Sequence, residues 1–177
     1  MHGSQLRLAA LALSLTAASA AWAGEFRLEK RLPLAAGGTF ALSSEAGGIE
    51  IRGGGGSEAV IVVTSDRTDF ADKYDLNFAT PSPDRVEVTV ERKSRGMLSW
   101  FEGGQRTRIV VTLPQSAAAR ISSSGGGIDI AGLDGKVLAE SSGGGVKASR
   151  LGGAAELSSS GGAIDASEIG GDLEAQS

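Results

Sequence analysis

A chain of 177 residues, 41% hydrophobic and 21% charged, is globular in composition and long enough for one domain-sized core. Glycine is abundant at 27 residues while aromatics make up only 5%, which excludes a core built around large rings. The formal charge is −4, cysteine is absent and the only histidine is His2, so after loss of the leader described next the chain has no thiol or imidazole nucleophile, no histidine base and no Cys/His zinc site.

Residues 1–23 read as a cleaved signal peptide. Arg7 supplies the positive n-region, Leu8 through Leu15 the apolar stretch, and Ala21-Trp22-Ala23 a small-x-small cleavage site. Cleavage is expected before Gly24, with the bond after Ala20 as the alternative. The strongly apolar stretch is nearer ten residues than the roughly twenty that a membrane span needs. No cysteine follows it to carry a lipid. The expected location is therefore exported, in the periplasm or at the cell surface. Removing Arg7 leaves 16 basic against 21 acidic residues, a balance that argues against nucleic acid as a partner.

The remainder, 24–177, reads as one all-β domain. In its first part, 24–56, an alternating Thr39-Phe40-Ala41-Leu42 leads into Ser43-Ser44-Glu45-Ala46-Gly47-Gly48-Ile49-Glu50-Ile51. Residues 57–113 carry longer strands: the β-branched run from Ala59 to Thr64, the alternating Val86, Val88 and Val90, and Ile109 with Val111. They are expected as wider, irregular rungs. Asp66, Asp69, Asp72 and Asp75 read as a solvated face, beside Tyr74, Leu76 and Phe78 packing as a strand or helical turn.

From 114 to 177 an 18-residue repeat dominates. Ile128, Val146 and Ile164 fall in one column, Leu133, Leu151 and Ile169 in another, and Ser123, Ser141, Ser159 and Ser177 in a third. Glycine columns recur at 125/143/161, 126/144/162 and 135/153/171. A fixed short period means stacked units that bury surface against their neighbours. The expected fold is a single-stranded β-solenoid with one 18-residue coil per rung. Inward pairs of one large and one small residue are expected at Ala119/Ile121, Val137/Ala139, Ala155/Leu157 and Leu173/Ala175, keeping each layer at similar volume. Calcium-binding nonapeptide coils are disfavoured, because the column Asp129/Lys147/Asp165 puts a cation where a ligand is needed. No metal or cofactor is expected. Ser177 opens a new Ser-Gly corner, so the last coil is expected to be open or the sequence cut short.

The exported start, the Ser-Ser-x-x-Gly-Gly-Ile-Glu-Ile segment near residue 49, Val-Thr-Leu-Pro at 111–114 and the following Ser-Ser-Gly-Gly-Gly coils together resemble the bacterial putative-adhesin β-helix family of unknown function. The resemblance spans essentially the mature chain. It implies a right-handed β-helical envelope protein and brings no catalytic residues with it.

One constellation reads as a binding loop. In the loop 94–105 and its flanks, Arg92, Lys93, Arg95 and Arg106 surround an apolar tip with Trp100 and Phe101. Aromatic faces with flanking cations suit anionic headgroups or sugars; the competing reading makes the apolar tip a lid over the core. Three functions follow. The first is a non-catalytic envelope scaffold presenting loops to a glycan, a membrane surface or a protein partner. The second is a homo-oligomer formed by end stacking through the open C-terminal rung, and the third a carbohydrate-active enzyme.

Overall fold

The computed structural model describes residues 25–93 and 106–177. Alternating apolar residues at period two make strands almost throughout, and glycine, serine and proline clusters divide them. The strands are β1 (Phe26–Pro33), β2 (Thr39–Ser44), β3 (Gly48–Gly54), β4 (Glu58–Ser65), β5 (Tyr74–Ser82), β6 (Arg85–Arg92), β7 (Thr107–Pro114), β8 (Ala118–Ser123), β9 (Ile128–Ala131), β10 (Val137–Ser141), β11 (Val146–Leu151), β12 (Ala155–Ser159), β13 (Ile164–Ile169) and β14 (Leu173–Gln176). One helical turn, α1 (Phe70–Lys73), precedes β5.

These strands form two seven-stranded sheets. Sheet I has the order β1-β4-β7-β3-β9-β11-β13, and sheet II the order β14-β12-β10-β8-β2-β6-β5. Inward residues of both sheets join in one apolar core that includes Phe40, Ile51, Val88, Ile109, Ile130 and Val137. The expected right-handed, single-stranded β-solenoid is thereby corrected to a two-sheet sandwich of mixed sheets. Two findings overturn it. β4 pairs antiparallel with both β1 and β7, and β5 pairs antiparallel with β6, so 57–113 is not a set of wider rungs. The strand order also departs from chain order, with β7 between β4 and β3 and β6 between β2 and β5.

The repeat columns survive as local parallel register. Val146 lies beside Ile128 and Ile164, and Ala139 beside Ile121 and Leu157. Along the β8-β10-β12 ladder large and small residues alternate, Ala119 next to Val137 next to Ala155, and all six inward residues of these strands are buried. Leu173 and Ala175 differ from expectation. They lie on β14, the outermost strand of sheet II, where Leu173 is 47% exposed because no further strand covers that edge among the described residues.

Candidate functional site

The flanks of the expected binding loop lie on the two sheets. At the end of β6, the Arg92 guanidinium donates to the Tyr74 hydroxyl at 2.9 Å and lies 5.5 Å from the centre of its ring, while the Arg92 backbone N–H donates to the Glu45 carboxylate. Lys93 donates through Nζ to the Ala71 carbonyl at 2.8 Å and sits 3.4 Å from Asp75. Both cations therefore tie α1 and β5 to the end of β6. Arg106 immediately precedes β7 of sheet I, where its carbonyl accepts from the Asp66 N–H and its own N–H donates to the Asp66 carboxylate, each at 3.4 Å. Arg95, Trp100 and Phe101 lie outside the described residues.

A different feature stands on the outer face of sheet I. Alternation turns Ile49, Ile128 and Val146 inward, so the residue before each faces out. Those residues are Gly48, Gly127 and Gly145, followed by Ala163 before Ile164. They floor a groove of about 390 Å³ with almost no side chain. At the strand spacing of about 4.8 Å, four strands give a floor roughly 15 Å long, running across the strands.

The backbone beneath this floor is already committed. The N–H groups of Ile49, Ile128 and Val146 donate to the carbonyls of Gly127, Gly145 and Ala163, each at 3.0 Å. Close strand approach explains Gly145, where an added Cβ would lie 2.6 Å from the Ala163 carbonyl oxygen. Gly48 has no such reason, since its added Cβ would meet only the Gly127 oxygen at 3.7 Å. A side chain fits at position 48 and would fill the groove.

One wall of the groove is a row in parallel register, Glu50, Asp129, Lys147 and Asp165. Arg52 bridges the first two, 3.1 Å from Glu50 and 2.9 Å from Asp129, and the hydrogen bond to Asp129 raises its pKa further. Arg108, largely exposed, stands 3.4 Å from Glu50 at the end of the groove. The lining thus carries three carboxylates, Glu50, Asp129 and Asp165, against the two cations Lys147 and Arg108, while Arg52, outside the lining, is held by Glu50 and Asp129. Sequence reasoning missed this groove. The signal was the column Gly48/Gly127/Gly145/Ala163, which sits one residue before an inward column and so faces out.

No family model matches the chain, and no curated protein matches it. Among solved structures it is similar to a "putative cell adhesion protein" of Clostridium sporogenes, 10% identical with a TM-score of 0.49, covering 86% of this chain and 100% of the other. A "putative adhesin" of Bacteroides fragilis is 9% identical with a TM-score of 0.38, covering 88% of this chain and 97% of the other. A "putative lipid binding protein" of Parabacteroides distasonis is 15% identical with a TM-score of 0.35, covering 86% and 74%. The adhesin half of the resemblance read from the sequence has counterparts among these names; its β-helix half is replaced by the two mixed sheets.

Proposed function

We propose that this chain is a non-catalytic exported envelope protein that holds an uncharged, hydroxyl-rich glycan strand along the outer face of sheet I. The leader read from the sequence supports export. The observation that carries the binding reading is the groove floored almost without side chains beside a wall that holds both carboxylates and cations. A hydroxyl both donates and accepts, so it finds partners at the carboxylates of Glu50, Asp129 and Asp165 and at the cations of Arg108 and Lys147. With carboxylates outnumbering cations in its lining, the groove does not favour a polyanion over a neutral chain. A peptide adding as a further strand needs free backbone groups, and the carbonyls of Gly127, Gly145 and Ala163 in the floor already accept from neighbouring strands.

The test is retention of the purified protein on isolated envelope fractions, before and after detergent removes lipid. Wild-type protein is expected to be retained in both, and Gly48→Gln, which fills the groove without changing charge, to lose retention while keeping its circular dichroism. Equal retention of the two proteins overturns the reading, as does loss of wild-type retention with the lipid.

A further inference from the structure

The apolar residues that the core leaves only partly buried gather at the two opposite ends of the sandwich. Phe26, Leu28 and Leu32 of β1 with Leu76 and Phe78 of β5 mark one end, and Ile164, Ala166 and Ile169 of β13 the other. Leu173 of β14 adds to the second end as the exposed large hydrophobic residue of the described chain. β1 and β13 are the edge strands of sheet I, and β5 and β14 those of sheet II. An edge strand presents unpaired N–H and C=O groups to any incoming strand.

The two ends are opposite in charge. β13, β14 and the turn between them carry Asp165, Glu168, Asp172 and Glu174 with no lysine or arginine. β1 carries Arg27, Lys30 and Arg31 against the single carboxylate of Glu29, and Asp75, the one charged residue of β5, is engaged by Lys93 at 3.4 Å. Glu29 is shared by Arg27 at 3.7 Å and Arg31 at 3.0 Å, whose side chains remain 53% and 63% exposed. Lys30 points inward, its ammonium 5.9 Å from the centre of the Phe78 ring.

Strand direction agrees. β1 is antiparallel to β4, and β4 to β7, so β1 runs the same way as β7. β7, β3, β9, β11 and β13 are mutually parallel. A second copy translated along the stack thus brings its β1 parallel to β13, the pairing that β9, β11 and β13 already use. In sheet II the incoming β5 meets β14 antiparallel, because β5 opposes β6 while β6, β2, β8, β10, β12 and β14 are parallel. The irregularity between Ala79 and Ser82, with Pro81 inside it, confines pairing on β5 to Tyr74–Ala79. Outward rows also match: Asp165 of β13 faces the same side as Arg27 and Arg31 of β1.

We infer that copies of this chain associate head to tail, the basic β1/β5 end of one copy docking on the acidic β13/β14 end of the next. Different patches meet in such a contact, so a pure translation does not close and yields open chains rather than a dimer. Attraction between the ends steers the encounter and weakens with salt, while the apolar rows set the contact distance.

Sedimentation velocity over a concentration series tests it. Wild-type protein is expected to pass beyond dimer as concentration rises at low salt, and to return toward monomer at high salt. R27E/R31E and D165K/D172K/E174K change exposed side chains only, and circular dichroism and thermal midpoints check that each still folds. Each variant alone is expected to stay monomeric, since its two ends then carry like charge. A mixture of the two is expected to associate again, because contacts between unlike variants are complementary. Wild-type protein that remains monomeric, association that stops at dimer, variants that associate unaltered, or a mixture that stays monomeric each overturn the inference. Envelope retention by Gly48→Gln is a separate readout, so failure here leaves the groove reading intact.

Discussion

Ser159 reaches back fifteen residues to Gly144, its buried hydroxyl donating to the Gly144 carbonyl at 3.0 Å while accepting the N–H of Gly162 at 3.0 Å. Ser141 repeats the arrangement one unit earlier, donating to the Gly126 carbonyl and accepting from Gly144 N–H. Each serine thus closes its own glycine corner and ties it to the one before. A hydroxyl with its proton already donated and no base beside it is a structural group, which accounts for the serine column without nucleophilic chemistry.

Ser141→Ala should therefore destabilise the fold by about 2 kcal/mol, the cost of leaving a buried N–H unsatisfied together with loss of the second bond. Ser142→Ala, one residue along and exposed, should stay within about 0.5 kcal/mol of wild type. Urea unfolding of the two variants measures the difference. Equal midpoints would remove the serine column from the account of stability.

Glycine at position 53 answers to a different constraint. An added Cβ there would overlap the carbonyl oxygen of Gly132, whose own φ of +75° leaves little room to retreat. Gly53→Ala should cost about 3 kcal/mol or prevent folding, as overpacking against backbone does. Gly55, two residues on, has open space around its Cβ position. Gly55→Ala should be neutral or stabilise by up to about 1 kcal/mol, by restricting the unfolded chain. Thermal midpoints of the pair decide whether close backbone approach, rather than glycine content as such, holds the sheets together.

The register of β8 to β14 was legible because its signal is a period: an 18-residue spacing puts Ile128, Val146 and Ile164 side by side whatever the overall architecture. Strand direction was not legible. Val60, Val62 and Thr64 alternate with Ala59, Ile61 and Val63 identically in parallel and antiparallel ladders, so nothing local announced that β4 opposes β1 and β7. The groove stayed hidden because glycine near a turn is read as a turn residue, whereas Gly48 has neither a positive φ nor a tight contact. The intramolecular partners of the expected loop's cations stayed hidden for a related reason. The partners of Arg92 and Lys93, Tyr74 and Ala71, are supplied by strand pairing across about twenty residues, and no spacing rule reveals them.

Arg92 illustrates how stability and binding separate. Its guanidinium bonds the Tyr74 hydroxyl and covers the ring, and Tyr74 in turn stacks on Phe70 with centroids 4.7 Å apart. Arg92→Ala should lower stability by about 1 to 2 kcal/mol through loss of the cation–π contact and the hydrogen bond. Its retention on envelope fractions should match that of wild type below the lowered melting temperature. Loss of retention in protein that is still folded would return Arg92 to the binding site.

Asp69 contributes to the acid limb of stability. Its carboxylate takes two bonds of 2.6 Å from Arg67 and lies 3.6 Å from Lys73. The hydrogen bonds from Arg67, with the charges of Arg67 and Lys73, push its pKa down from 3.8 to about 2 against a smaller opposing effect of burial. The folded chain thus holds this proton less readily than the unfolded chain does. The stabilisation is fully present above the unfolded value of 3.8 and is lost as pH falls from there through about 2. Asp69→Asn removes the titrating group, so between those two values its urea midpoint should fall less steeply with acid than that of wild type. A carboxyl carbon titration by NMR should place the Asp69 midpoint near 2, and a midpoint at the ordinary aspartate value would show that the Arg67 contact does not hold in solution.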